Sequence, residues 1–353
     1  MRALVADSVS SSPRQAVSGP AAMRWSQSDD VVTHAANLTG WQQQYDQLSR
    51  GPFHGELSEL WFDEIQVFRE RTSHAVRQTC QIRPDTIWCG ITMAPDGSRI
   101  EGQVVGAGGV MVSGSGAEFE LLTPNQHEIF GIVASRSALK EAANKLGQPL
   151  NLAALSHPGW FACDPAAHAQ LHRGLALLLA EAGSGASSHD HAQSRRFAQS
   201  AVLDRLLSVL ATPLVEGHEG LSFDRRRSLV RRACDQVRMH PHAVPTVPEL
   251  CEHLHVSRRT LQYAFETVVG SSPVDFLRTL RLNAARRDLL RGAATSVQDA
   301  AGRNGFWSLS QFASDYRRQF AERPSQTLAR TRPDSHGLPA AGTSSAHATP
   351  TLQ

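Results

Sequence analysis

The sequence predicts an α+β chain: a β-rich N-terminal domain, a helical connecting segment, and an all-α C-terminal domain with two helix-turn-helix units. Three observations predict it. β-Branched and aromatic runs separated by turn residues crowd residues 53–133. Helical periodicity takes over from residue 135. A short helix, a turn and a longer helix are then spelled out twice within an arginine-rich C-terminal third.

The chain has 353 residues, 41% hydrophobic and 19% charged, which fits more than one globular domain. No apolar run reaches the roughly 18 residues that span a bilayer, so no transmembrane helix and no membrane partner are expected, and the location expected is cytoplasmic. Five scattered cysteines, none in a closely spaced pair, fit reduced thiols in that compartment. The net charge of +2 conceals a division: residues 222–333 hold 19 Arg, no Lys and 10 acidic residues, so the rest of the chain is net acidic. A basic third on an acidic body points to a nucleic-acid-binding domain joined to one with another task.

Along the chain, residues 1–30 are rich in Ser, Ala and Pro, lack the apolar segment of a secretory signal, and are expected to be disordered. Residues 31–48 read as a short helix with Trp41 and Tyr45 four apart. Within a β-rich domain at 31–150, strand-like runs stand at 56–62 and 65–70, with Asp63 and Glu64 turning between them. Others follow at 87–93, 104–112, 118–122 and 128–133, with a turn at 95–97. Short strands at this spacing predict a sandwich or barrel, here of a cupin-like kind. Helices are expected at 135–146, 168–182 and 195–211. Leu171, Leu175 and Leu179 make one apolar face, and Val202, Leu206 and Val209 another. Residues 151–221 are therefore assigned to a helical linker and dimerisation segment, broken at 183–191 and closed by a linker at 212–220. The tail at 334–353 is expected to be disordered.

The first helix-turn-helix text runs over 247–265. Leu250 and Leu254 pack its first helix, and Ser257 is suited to cap its second. Leu261 and Phe265 face inward, leaving Arg258, Arg259, Gln262, Tyr263 and Glu266 outside. The second text runs over 297–320. Gly305 occupies a turn position that favours positive φ, Ser308 is the cap, and Phe312, Tyr316 and Phe320 form the inward stripe. Ser310, Gln311, Ser314, Arg317 and Arg318 point outward, with Leu309 at the edge of that face. Arg pairs bidentately with guanine and Gln with adenine, and the N-terminal part of the second helix of such a unit meets the base edges. A long helix at 273–291 joins the two units, with Leu277, Leu280, Leu282, Ala284, Ala285 and Leu289 placed to pack against both. Double-stranded DNA is the partner these features predict.

Residues 222–332 resemble the DNA-binding domain of the AraC/XylS regulator family. The resemblance rests on Gly305-Phe306, on Ser310, Gln311 and Phe312, on Phe320, and on Arg323-Pro324-Ser325. It implies base or backbone contacts for Arg259, Gln262 and Tyr263 in the first unit and for Ser310, Gln311 and Ser314 in the second. One departure stands out: the family's glycine before the closing Arg-Pro is replaced by Ala321-Glu322. In the N-terminal half, Trp41 to Leu48, Gly51 to Glu56, Asp63 to Glu70 and Arg77 to Cys80 resemble the branch of that family that regulates ethanolamine-utilisation operons. That resemblance implies an activator responding to ethanolamine and adenosylcobalamin. RNA polymerase is a further expected partner, and the helices at 168–211 are expected to support a homodimer.

An ethanolamine ammonium group needs a carboxylate and gains from an aromatic wall, and Trp61, Asp63, Glu64 and Trp88 are the residue types required. The competing assignment makes Asp63-Glu64 a solvated turn and both tryptophans core. His168 and His172, and the pairs 189/191, 240/242 and 253/255, lack the further ligands of a metal site, so no metal is expected. The glycines at 106, 108, 109, 114 and 116 lack the Lys and helix start of a phosphate cradle and read as strand-end turns. No catalytic residues are expected. The rival function, an alkyl-transfer repair enzyme fused to a DNA-binding module, would need an activated thiol, and Cys80 beside Arg77 is its one candidate.

Overall fold

The computed structural model describes residues 23–93, 97–116, 118–184, 192–210, 221–239 and 245–331. The disorder expected at 1–22 and 334–353, the turn at 95–96, the break at 185–191 and the linker at 212–220 lie outside the described residues.

The described chain is a mixed α/β structure with a β-rich N-terminal domain and a helical C-terminal domain. Two antiparallel sheets build the first. One has seven strands in the order β1 (Met23–Ser28), β3 (Gly55–Trp61), β4 (Ile65–Thr72), β11 (His127–Ser135), β6 (Thr86–Ile91), β9 (Gly109–Gly114) and β12 (Gly159–Ala162). The other has five, in the order β2 (Gln42–Gln47), β5 (Val76–Gln81), β10 (Phe119–Thr123), β7 (Arg99–Ile100) and β8 (Gln103–Val104).

Strand alternation sorts the core. Leu57, Phe68, Trp88, Met111 and Ile129 of the larger sheet face Cys80, Ile100, Phe119 and Leu121 of the smaller one. The opposite parity, with Leu60, Val67, Ile87, Val110 and Ile132, faces the helices α2 (Arg136–Lys145), α3 (Pro165–Gly183) and α4 (Ala192–Leu210). Because the larger sheet is covered on both faces, its central strands read as continuous apolar runs.

Three expectations need correction. Residues 23–28, assigned to a disordered arm, form an edge strand in register with β3, Trp25 opposite Ser58. The helix expected over 31–48 stops early: α1 spans Val31–Ala35, Gly40 turns the chain at φ 76, and the Gln-rich stretch pairs with β5. A spacing of four keeps residues on one face in a strand as well as in a helix, so Trp41 and Tyr45 did not discriminate. The run at 104–112 is divided between β8 and β9 by a turn in which Gly108 has φ 66. Strands β5 and β12 carry no clear apolar alternation and were not anticipated.

The C-terminal domain comprises α5 (Leu221–Met239), α6 (Val247–Leu254), α7 (Arg258–Val269), α8 (Pro273–Leu290), α9 (Val297–Arg303), α10 (Leu309–Phe320) and α11 (Pro324–Ala329). It has two cores. Leu250, Leu261 and Phe265 pack with Phe276, Leu277 and Leu280 from the first half of α8. Phe312, Tyr316 and Phe320 pack with Leu282, Ala285 and Leu289 from its second half. One helix thus belongs to both cores, and each fully buried aromatic or leucine contributes about 1.5–3 kcal/mol to holding it there.

Candidate nucleic-acid interface

Each of the two short-helix and long-helix pairs is built by local chemistry. In the first, Thr246 and Glu249 form a reciprocal capping box at the start of α6. His255 leaves that helix in the left-handed conformation, φ 54, and Ser257 caps α7 by accepting the Thr260 N–H at 3.1 Å. In the second pair, Ser296 caps α9, Gly305 turns at φ 72, and Ser308 caps α10, accepting the Gln311 N–H at 3.4 Å. Both longer helices have 12 residues and close on a left-handed residue, Gly270 in one and Ala321 at φ 57 in the other. Ala321, at the position where the resembled family carries glycine, therefore keeps the left-handed turn.

Capping fixes which faces look out. On α7, Leu261, Ala264, Phe265 and Val268 are buried, while Arg258, Arg259, Tyr263 and Glu266 are exposed. Gln262 is half-buried and donates to Glu266 Oε1 at 2.6 Å, and the Arg226 guanidinium of α5 lies 4.8 Å from the Tyr263 ring. On α10, Ser310, Gln311, Ser314, Arg317 and Arg318 are exposed. Asp315, buried at the edge of that face, gathers Gln311 at 3.1 Å, Arg318 at 3.7 Å and Arg278 of α8. Beneath lies a ladder of rings, Phe306–Phe312 at 5.0 Å, Phe312–Tyr316 at 5.6 Å and Tyr316–Phe320 at 4.7 Å. Burial pushes the Tyr316 hydroxyl up to about 12, so it stays neutral, bonded to Thr327 and Arg286. The outward set holds four guanidinium groups and no metal-ligating cluster, a surface suited to phosphate and base edges.

The third face of α8 was not anticipated. Asn283, Arg286 and Arg287, spaced to share one face, all reach the β-rich domain. Asn283 accepts the Gln47 N–H at 2.8 Å and donates to the Gln47 carbonyl at 3.0 Å, so a side-chain amide replaces a neighbouring strand at the edge of β2. Arg286, almost wholly buried, joins Asp30 at 2.6 Å to Glu322 at 2.6 Å and lies over Phe320 at 4.5 Å. Arg287 pairs with Asp46, which also holds Arg77. Both longer helices are also gripped at their C-terminal ends. Arg99 donates to the Thr267 carbonyl at 2.7 Å, and Gln319 donates to the Gln47 carbonyl at 2.8 Å. Gly102, φ 78, sits at the tip of the β7–β8 hairpin, where an added Cβ would lie 2.9 Å from Val268. The sequence signal was faint: an asparagine and two arginines at i, i+3 and i+4 on a helix otherwise assigned to core.

Between the domains lies a cavity of about 220 Å³. Thr79, Glu118, Phe119 and Glu120 line it from the sheet and Arg227 and Arg231 from α5. Thr79 contributes a buried hydroxyl without a partner. At its rim, burial pushes the Glu101 carboxyl above the usual range, against the Glu120 N–H and Arg227 that pull it down.

The four residues expected to bind an effector do not converge. Trp88 is buried between the sheets, stacked on Phe119 at 5.2 Å. Trp61 stands at a sheet end beneath the Arg83 guanidinium and donates to Glu59 Oε1 at 2.7 Å. Asp63 and Glu64 form the exposed turn toward α2 and α4, where Glu64 accepts from Ser135 at 2.6 Å. The carboxylate beside Trp61 is the buried Glu59, which strand alternation turns inward while the turn residues face solvent. Cys80 is corrected too. It is buried, and burial with Glu70 and Glu118 pushes its thiol well up, the opposite of an activated nucleophile. Of the histidine pairs, 189/191 and 240/242 lie outside the described residues. His172 packs on the Phe130 ring at 4.7 Å. Among the described residues no helix is long and apolar enough to cross a membrane.

Residues 250–330 match the family described as a helix-turn-helix domain. Over 102 residues the chain is 36% identical to the probable thc operon regulatory protein of Rhodococcus erythropolis, covering 28% of this chain and 31% of that protein. Over 118 residues it is 36% identical to the HTH-type transcriptional regulator CdhR of Pseudomonas aeruginosa, covering 32% and 35%. The chain thus spans about a third of the length of these curated relatives. Among solved structures, a probable AraC family transcriptional regulator from Rhodopseudomonas palustris is 36% identical, with 30% of this chain and 99% of that one covered and a TM-score of 0.27. The DNA-binding domain of AdpA, in complex with a target DNA, is 31% identical over 30% of this chain and 90% of that one, with a TM-score of 0.26.

Proposed function

We propose that this chain, which belongs through its C-terminal helix-turn-helix domain to the AraC family of transcription regulators, is a sequence-specific DNA-binding activator whose β-rich domain governs how its two helix-turn-helix units meet DNA. The observation that carries this reading is the pair of serine-capped helices with exposed Arg, Gln and Ser faces, locked to one another by α8. A rigid connector suits two neighbouring major-groove contacts, about 34 Å apart along the duplex. Exposed arginines supply affinity for phosphate, and the residues at the N-terminal ends supply sequence choice.

Effector response is the finer part of the proposal. A ligand shifts a two-state arrangement only by binding one state better than the other. The interdomain cavity supports such a response, because a molecule there touches the sheet and α5 together. Its carboxylates, Phe119 ring and unpartnered Thr79 hydroxyl offer partners to a small amino alcohol such as ethanolamine. Adenosylcobalamin is far larger than this cavity and would need another surface. The exposed Leu177 and Phe197 on α3 and α4 support a homodimer through those helices. RNA polymerase is the further partner an activator in the cytoplasm requires. The cupin-like likeness of the β-rich domain belongs to this reading as well. The rival alkyl-transfer function has no support in the buried, raised Cys80 thiol.

The test is selection of duplexes from a random-sequence pool by the full chain, followed by titration of the selected site with and without ethanolamine and adenosylcobalamin, separately and together. Enrichment of one bipartite site whose affinity shifts with the effectors is expected. Equal binding to all sequences overturns the regulator reading, and an affinity indifferent to both compounds overturns the effector assignment alone.

A further inference from the structure

The outward faces of the two longer helices differ most where they begin. Only residues 255–257 separate α6 from α7, but 304–308 separate α9 from α10. In the first turn, Val256 precedes the capping serine and packs against the core. In the second, Phe306 takes that inward place, packed on Phe312 and covered by the Arg281 guanidinium at 4.6 Å. Trp307 is left over, 90% exposed, immediately before the cap. Leu309, immediately after the cap, is 46% exposed. The core beneath is filled by the ring ladder, so neither side chain is needed inside.

Single exposed apolar residues are ordinary on a protein surface, and it is the position that gives these two meaning. They flank the N-terminus of the helix whose first turn approaches base edges in such a unit. The corresponding position after the first cap is Arg258, a side chain of the type that pairs with guanine or phosphate. An apolar side chain at this point meets one apolar feature of the major groove, the C5 methyl of thymine. Exposed Ser310 and Gln311 follow directly, and Gln matches adenine, so the helix start is chemically suited to an A·T-rich half-site. Arg317 and Arg318 further along the same helix complement the phosphate backbone.

We propose that the second unit reads thymine through Leu309, with Trp307 packed on the adjoining sugar edge of the backbone, while the first unit reads guanine through its arginines. This rests on the DNA-binding reading above and adds which bases each unit selects. A protein partner for the exposed tryptophan is the competing occupant.

The experiment uses the full chain on its selected site, with each thymine replaced in turn by deoxyuridine, which removes only the methyl group. In one half-site, a single replacement is expected to weaken binding by about fourfold, the factor associated with one buried methyl-sized group. Leu309→Ala is expected to lose a similar factor on the thymine duplex and to become indifferent to deoxyuridine at that position. Trp307→Ala should weaken all duplexes of the series alike. Both sites are at the surface, and an unchanged circular dichroism spectrum confirms folding. If no replacement matters, or if Leu309→Ala stays sensitive to the missing methyl, the thymine assignment is wrong while selective binding still stands. If both variants bind DNA normally but lose transcription activation, the patch belongs to a protein partner and the proposal is overturned. If the chain selects no sequence, the functional reading fails first and this proposal with it.

Discussion

Aligned on their capping serines, the two longer helices of the C-terminal domain match along their inner faces and diverge on their outer ones. Leu261 corresponds to Phe312, Phe265 to Tyr316, and both members of each pair are fully buried. At the start, Arg258 and Arg259 stand where the second helix has Leu309 and Ser310. At the end, the left-handed Gly270 stands where the second helix has the left-handed Ala321. A helical scaffold constrains its inner stripe and caps because packing and orphan backbone groups demand them. Its outer residues are free of that demand and record what the surface meets.

The largest effect comes from breaking what both pairs share. Arg286→Met removes a buried guanidinium that ties Asp30 of the β-rich domain to Glu322 behind the second pair, leaving Asp30 without that cation while Glu322 keeps Arg330 at 2.5 Å. A loss of about 3 kcal/mol is expected in urea unfolding, at the lower end for a broken buried pair because Asp30 keeps its two backbone N–H donors. A loss under about 0.5 kcal/mol would mean that the domains are held elsewhere.

The next effect separates the two outer faces. Arg259→Ala is expected to cost about 1–3 kcal/mol at one base pair of the first half-site and to leave preferences in the second half-site unchanged, read by competition among single-substitution duplexes. Uniform weakening on specific and random DNA would reassign Arg259 to the phosphate backbone.

The helix ends give changes of opposite sign at equivalent positions. Ala321→Gly relieves a left-handed alanine and should stabilise the chain by about 1 kcal/mol, whereas Gly270→Ala should destabilise it by about as much. Thermal melting of the two variants reads both signs, and a shift in the same direction would show that these ends are not equivalent.

The smallest effect lies outside the pairs. Burial holds the His168 and His172 imidazoles below their ordinary range in the layer of helices covering the larger sheet. For a depressed imidazole, stability is present above the unfolded value near about 6.5 and is lost as pH falls through the folded value. Melting temperature should therefore drop on acidification below that point, and drop less in His172→Phe. An unchanged pH profile in that variant would place the acid sensitivity elsewhere.

Legibility in the sequence followed the same division. Caps, Gly305 and the inward stripes were readable because each follows from a local rule with one physical cause. The hairpin at Asp63 and Glu64 was readable because apolar runs flank a turn. β1 and β2 were not, since Met23–Ser28 and Gln42–Gln47 are polar and gain their strand character only from a neighbouring strand. The grip of Asn283, Arg286 and Arg287 on the β-rich domain joins residues more than 200 positions apart, and no local spacing announces it. Trp61 and Trp88 were sought as one effector wall. They share one face of the larger sheet, but β4 and β11 lie between their strands, so the two rings meet different neighbours.

The central claim is that α8 holds both helical pairs so that they engage one duplex together. A methylation-protection footprint of the full chain on its selected site tests it most directly. Two protected major-groove patches on one face of the duplex, about 10 base pairs apart, are predicted. One patch alone, or two on opposite faces, would contradict the account.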